Sequence, residues 1–180
     1  MKNWNLVVTV VPGPGHVHRV LDALRRWGEF HSSNFKDVCL GRVEDTTALL
    51  EAIRDARESG EEWCDSLGRV IPIERIFHFT PETLTEKLKE AVTPFCDRMQ
   101  SGTFHVRLER RGLTGEVISP KVEREVADHL FTLAEARGKS FHTAFEDPDY
   151  VVAAETLGND CGVALLPREL RARYPFVQTR

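Results

Sequence analysis

The opening strand constrains this chain more than any other feature. Leu6, Val8 and Val10 alternate with Val7, Thr9 and Val11, a mostly β-branched run that Pro12-Gly13-Pro14-Gly15 cuts off. Such a run is a buried strand, and the segments that follow must cover it. Val17, Val20, Leu21, Leu24 and Trp27 recur at helical spacing up to Gly28. Phe30 to Ser33 and Val38 to Val43 read as two strands joined by a tight turn at Asn34 to Lys36. Asp45 or Thr46 caps a second helix carrying Leu49, Ala52, Ile53 and Ala56. After an acidic loop at Glu61-Glu62-Trp63, Arg69 to Phe79 reads as a fourth strand, with Pro72 favouring an edge or a bulge. The order strand, helix, strand, strand, helix, strand is the ferredoxin-like plan, expected for residues 1–79.

A second α/β unit is expected over residues 80–180, which makes the chain α+β overall. Thr80-Pro81 opens a helix with Leu84, Leu88, Val92 and Phe95 along one side, and Pro94 is expected to kink or restart it. Phe104, Val106 and Leu108 then alternate with His105, Arg107 and Glu109 in a strand that stops at Gly112. Ser119-Pro120 starts another capped helix with Val122, Val126, Leu130 and Leu133 on one face. Phe141 to Phe145, Tyr150 to Thr156 and Cys161 to Leu166 read as the remaining strands of a mixed sheet.

Several functions are disfavoured. No apolar run approaches the ~20 residues that span a bilayer, and the N-terminus lacks a signal-peptide plan. Cys39, Cys64, Cys96 and Cys161 include no C-x-x-C pair, so structural thiols in a reducing, cytoplasmic setting are expected. Gly13-x-Gly15 sits where a phosphate-cradling turn would, but it has no third glycine and its prolines remove backbone donors. His16 and His18 could offer imidazoles to a metal, yet no third ligand lies near them in sequence. No nucleophile motif is present, so neither catalytic residues nor a cofactor are expected.

Charge is more informative when resolved along the chain. The 180 residues carry 24 Lys+Arg against 28 Asp+Glu, a net charge of −4, which argues against a globally basic nucleic-acid binder. Residues 140–160 hold Glu146, Asp147, Asp149, Glu155 and Asp160 and no Lys or Arg. Basic residues gather instead at Arg107, Arg110 and Arg111, at Lys121 and Arg124, and at Arg168, Arg171 and Arg173. Arginines at a strand end beside a helix N-terminus can bind phosphate bidentately in a favourable dipole field. A solvated face neutralised by Glu109, Glu123 and Glu125 is the plainer alternative.

Phe104-His-Val-Arg-Leu-Glu-Arg-Arg-Gly112 resembles the F-x-V-R-x-x-R-x-G strand of the THUMP domain family. The helix from Ser119 to Arg137 and the segment from Phe141 through Asp147-Pro148-Asp149 to Glu155 extend the likeness in the family's order. In such proteins a ferredoxin-like module precedes the THUMP domain, and Arg69-Val-Ile-Pro-Ile-Glu74 resembles the end of that module. The resemblance implies RNA binding, usually of tRNA by its acceptor stem and single-stranded 3′ end. It makes Arg107, Arg110 and Arg111 the first RNA-contact candidates, with Lys121 and Arg124 beside them and the Arg168, Arg171 and Arg173 cluster behind. Little chain follows the last strand, so a non-catalytic adaptor is expected, of the kind that assists an RNA acetyltransferase forming 4-acetylcytidine in tRNA. A protein-interaction module without RNA binding and a small metal enzyme using His16 and His18 are the competing expectations. Replacing Arg107 and Arg111 together is expected to weaken tRNA binding and leave stability nearly unchanged.

Overall fold

The computed structural model describes all 180 residues and resolves them into two compact units. The first comprises residues 1–73 and 171–178, and the second residues 74–170 and 179–180.

The first unit contains β1 (Leu6–Val10), α1 (His16–Leu24), β2 (Glu29–Ser32), β3 (Val38–Arg42), α2 (Thr46–Glu58) and β4 (Leu67–Pro72). Its sheet runs β2-β3-β1-β4 with every pairing antiparallel, the ferredoxin-like order. Gly15, at φ 73°, takes the left-handed turn from β1 into α1. Asp45 rather than Thr46 caps α2, its Oδ1 accepting the Ala48 N–H at 3.0 Å. The expected acidic loop is a 3-10 turn over Glu62–Ser66 that buries Trp63, whose Nε1–H donates to Glu61 at 3.3 Å. Residues 171–178 complete this unit. Phe176 is 2% exposed, and its carbonyl accepts the Val70 N–H at 2.9 Å along β4. The Tyr174 hydroxyl donates to Glu51 Oε1 at 2.6 Å, and the Arg173 guanidinium meets the same oxygen at 2.5 Å.

The second unit contains β5 (Arg75–His78), α3 (Leu84–Arg98), β6 (Gly102–Glu109), α4 (Ser119–Ala136), β7 (Phe141–Thr143), β8 (Tyr150–Leu157) and β9 (Asp160–Pro167). A short α5 (Arg168–Arg173) follows β9. The mixed sheet runs β5-β9-β8-β6-β7, with β6 parallel to both neighbours and the other pairs antiparallel. Phe104, Val106 and Leu108 of β6 share one core with Leu88, Val92 and Phe95 of α3 and Val126, Leu130 and Ala134 of α4. That burial fixes which face β6 turns away from the helices: the one bearing His105, Arg107 and Glu109.

Several element boundaries differ from the sequence expectations. The single strand over Arg69 to Phe79 is two strands in two sheets. Ile73 still donates its N–H to Asn5 at 2.8 Å, whereas Glu74 donates to Val163 at 2.9 Å and its carboxylate accepts the Leu165 N–H at 2.8 Å. The hydrogen-bond partners therefore change sheet between adjacent residues. Helix α3 starts at Leu84 because Thr83 Oγ1 accepts the Thr80 N–H at 2.9 Å and closes a turn first. It continues unbroken through Pro94, where the Thr93 hydroxyl donates to the Lys89 carbonyl at 2.6 Å. Ser119 is the first residue of α4 and not its cap; Ile118 holds that position without a side-chain bond.

A candidate nucleic-acid interface on the second unit

Arg107, Arg110 and Arg111 lie along or just beyond β6, and Lys121 and Arg124 open α4, which begins after the loop that leaves that strand. The strand and the helix are pinned together, because Glu123 Oε2 accepts the Leu108 N–H at 2.8 Å. That bond satisfies an edge donor of β6 beyond the reach of the short β7, and Glu123 forms no ion pair with Arg107, Arg110 or Arg111.

The three strand arginines do different things. Arg111 is 9% exposed and forms an ion pair at 2.6 Å with Glu155, itself 1% exposed. Its N–H also donates to Thr156 Oγ1 at 2.9 Å, so this residue belongs to the interior of the sheet. Arg110 donates to the Gly112 carbonyl at 2.5 Å and to Thr114 Oγ1 at 3.0 Å, holding the loop that leads to α4. Arg107 is half-buried, and its Nε is buried without a hydrogen-bond partner. At the helix, Lys121 reaches Glu125 only at 3.9 Å and is 73% exposed, while Arg124 is exposed and enters no ion pair. Lys121 and Arg124 thus present cationic groups to solvent.

The C-terminal arginines are dispersed by their partners. Arg168 meets Asp147 at 3.3 Å and Asp149 at 2.7 Å. Arg171 and Arg173 fall in the first unit, where Arg173 is bound to Glu51. Its guanidinium and the Tyr174 hydroxyl hold the Glu51 carboxyl below the usual carboxylate range. Asp149 is likewise held low, first by the Thr103 N–H at 2.9 Å, then by the Thr103 hydroxyl and Arg168. A depressed folded value means that the bonded carboxylate contributes stability above the unfolded pKa of ~3.9 and loses it as pH falls through the folded value. Asp149→Asn is therefore expected to unfold below the wild-type temperature at neutral pH. The gap should narrow as a thermal-melt series descends from pH 5 to pH 2.

The histidine pair near the N-terminus is engaged locally. His16 folds back over Gly13, and its Nδ1–H donates to the Val11 carbonyl at 2.7 Å, so its own ring fills the turn that could have cradled phosphate. His18 pairs with Asp22 at 3.1 Å. No three His, Cys, Asp or Glu side chains come together anywhere in the chain as a metal site would require. All four cysteines are buried; burial pushes the Cys39 thiol up to about 11 and raises Cys161 further.

Sequence reasoning passed over His105 and Phe145, whose ring centroids lie 5.7 Å apart. Phe145 reads as a strand end in the sequence, but β7 stops at Thr143. The available signal was an aromatic residue set directly before Glu146-Asp147-Pro148-Asp149, where a chain turns in solvent.

A mixed five-stranded sheet sharing its core with two long helices, in a chain that also carries a ferredoxin-like unit, defines a two-part α+β protein. Residues 80–166 match the family model of the THUMP domain, and this stretch of the chain is a THUMP domain. Three solved structures share the fold. PH1313 from Pyrococcus horikoshii is 10% identical with a TM-score of 0.59, over 89% of this chain and 54% of that one. TrmN from Thermus thermophilus is 19% identical with a TM-score of 0.61, over 91% and 45%. A 4-thiouridine synthetase solved as an RNA complex with bound ATP is 10% identical with a TM-score of 0.57, over 91% and 41%. The present chain thus spans about half or less of each. No curated protein matches it in sequence.

Proposed function

We propose that this chain binds tRNA through its THUMP domain and presents it for chemical modification by another catalytic unit. The observation that carries this reading is the THUMP domain over residues 80–166, in a fold shared with a synthetase crystallised on RNA. The exposed cations at the start of α4 support it: Lys121 and Arg124 flank a helix N-terminus whose backbone dipole favours phosphate. Half-buried Arg107 lies on the other face of β6, turned away from α4, and is a separate candidate contact.

The chain's own role in the proposal is to hold RNA. All four thiols are buried, and burial raises those of Cys39, Cys64 and Cys161, which disfavours them as nucleophiles. The partner we propose is an RNA-modifying enzyme such as the acetyltransferase that forms 4-acetylcytidine, acting in the cytoplasm. A net charge of −4, with only Lys121 and Arg124 of the candidate cations on the THUMP strand and helix exposed, suits weak intrinsic affinity, which a partner enzyme would reinforce.

Titration with unfractionated tRNA at a series of salt concentrations tests the reading. About four phosphate contacts correspond to a log–log salt slope of roughly −3 to −4. Lys121→Ala and Arg124→Ala are each expected to weaken binding and flatten the slope by about one unit. Absence of tRNA binding at low salt, together with no RNA co-purifying with the protein, would sink the proposal.

A further inference from the structure

Phe145 is the most exposed large apolar side chain of the chain, at 78%. A lone phenylalanine in solvent is ordinary, but this one is fixed in place. Its ring lies against His105 with planes 30° apart and centroids 5.7 Å apart. The imidazole is itself anchored, since His105 Nδ1–H donates to the Ala144 carbonyl at 2.9 Å. The Ala144 N–H in turn donates to the Phe104 carbonyl at 3.1 Å. The residue immediately before Phe145 is therefore tied to β6 twice, and the aromatic ring is held out from an ordered strand edge. The next side chain on the same face of β6 is Arg107, about 7 Å further along. Of the three acids that follow Phe145, Asp147 and Asp149 pair with Arg168, and Glu146 is exposed.

We infer that Phe145, backed by His105, is a stacking platform for one unpaired base of the bound RNA. This rests on the tRNA-binding reading above and assigns a contact within it. A base needs one free aromatic face, and Phe145 leaves most of its ring free. It also carries a phosphate, and Arg107 lies one same-face step beyond His105 to meet it. The neighbours favour a nucleotide over an apolar protein surface: the ring is backed by an imidazole, and the next same-face position on β6 carries an arginine instead of an aliphatic side chain. Stacking tolerates any base, so the platform would grip a single-stranded end or loop irrespective of sequence.

The test titrates the full chain and its variants with unfractionated tRNA and with a blunt-ended RNA duplex. Phe145→Ala is expected to weaken tRNA binding roughly tenfold, the effect of losing one stacked base. Phe145→Trp should bind as tightly as wild type, and Phe145→Leu as weakly as the alanine variant. The salt slope should stay unchanged in all three, because no phosphate contact is removed, and affinity for the blunt duplex should not move. All three variants should unfold at the wild-type temperature, since the ring is exposed. Wild-type tRNA affinity in Phe145→Ala, or restoration by Phe145→Leu, would overturn the platform and leave Phe145 as a protein contact. If wild-type protein binds no tRNA at all, the platform and the RNA-binding reading fall together. Failure of the variants alone therefore stays distinguishable.

Discussion

Arg111→Ala is expected to cost about 3–5 kcal/mol of folding stability, because it breaks a buried ion pair by removing one member. The guanidinium is 9% exposed and the Glu155 carboxylate 1% exposed, so water can replace little of what is lost. Removing the arginine also leaves a void where its stem packed beside the end of β8. Denaturant titration should show a clearly lowered midpoint. Replacing both members with methionine should cost far less than the single change, since neither charge then has to be desolvated. If Arg111→Ala unfolds like wild type, the pair is not the interior element described above. The same geometry changes the expectation for replacing Arg107 and Arg111 together. That double variant would lose stability through Arg111, so weakened RNA binding in it would say little about contact. Arg107→Ala alone is the cleaner probe.

Phe176→Ala is expected to cost about 3–5 kcal/mol, as large aromatic truncations in a packed interior do. Phe176 is 2% exposed, lies 5.9 Å from the Tyr174 ring, and has the Arg57 guanidinium 5.6 Å from its own ring centroid. Because residues 171–178 belong to the first unit, the damage should appear there. Hydrogen exchange at β1, β3 and β4 should accelerate well beyond that at β6 and β8. Equal acceleration in both sheets would contradict this assignment.

Local pattern reveals the parts of this fold that are set by local physics. Leu6 to Val10 and Phe104 to Leu108 announce themselves because strand periodicity is written in adjacent residues. Asp45 is recognisable as a cap because its bond to Ala48 spans three residues. What escapes are the facts fixed by distant partners. Arg110 and Arg111 are neighbours of the same type, yet one braces a loop and the other is buried, a difference decided by Glu155 44 residues away. The same holds for Glu74, whose carboxylate reaches Leu165 across 91 residues and draws β5 into the second sheet. The site is legible to a similar degree. The cations are visible in the sequence, but their availability depends on which acids fold against them. Phe145 emerges only once β7 is seen to end before it.

Residues 171–178 have a consequence for how the protein is made. The ferredoxin-like unit is interrupted by residues 74–170, so about 100 residues must be synthesised before its last piece exists. At translation rates of roughly 5–20 residues per second, this is a delay of about 5–20 s. For that interval β4 is an outer strand without its cover, and the places of Tyr174, Phe176 and Val177 stand empty. An uncovered edge beside an unfilled apolar gap invites mispairing with other nascent chains. The THUMP unit spans one nearly continuous stretch and can close on the ribosome first. The order of emergence is thus the reverse of the order of completion: the half made first is the half finished last.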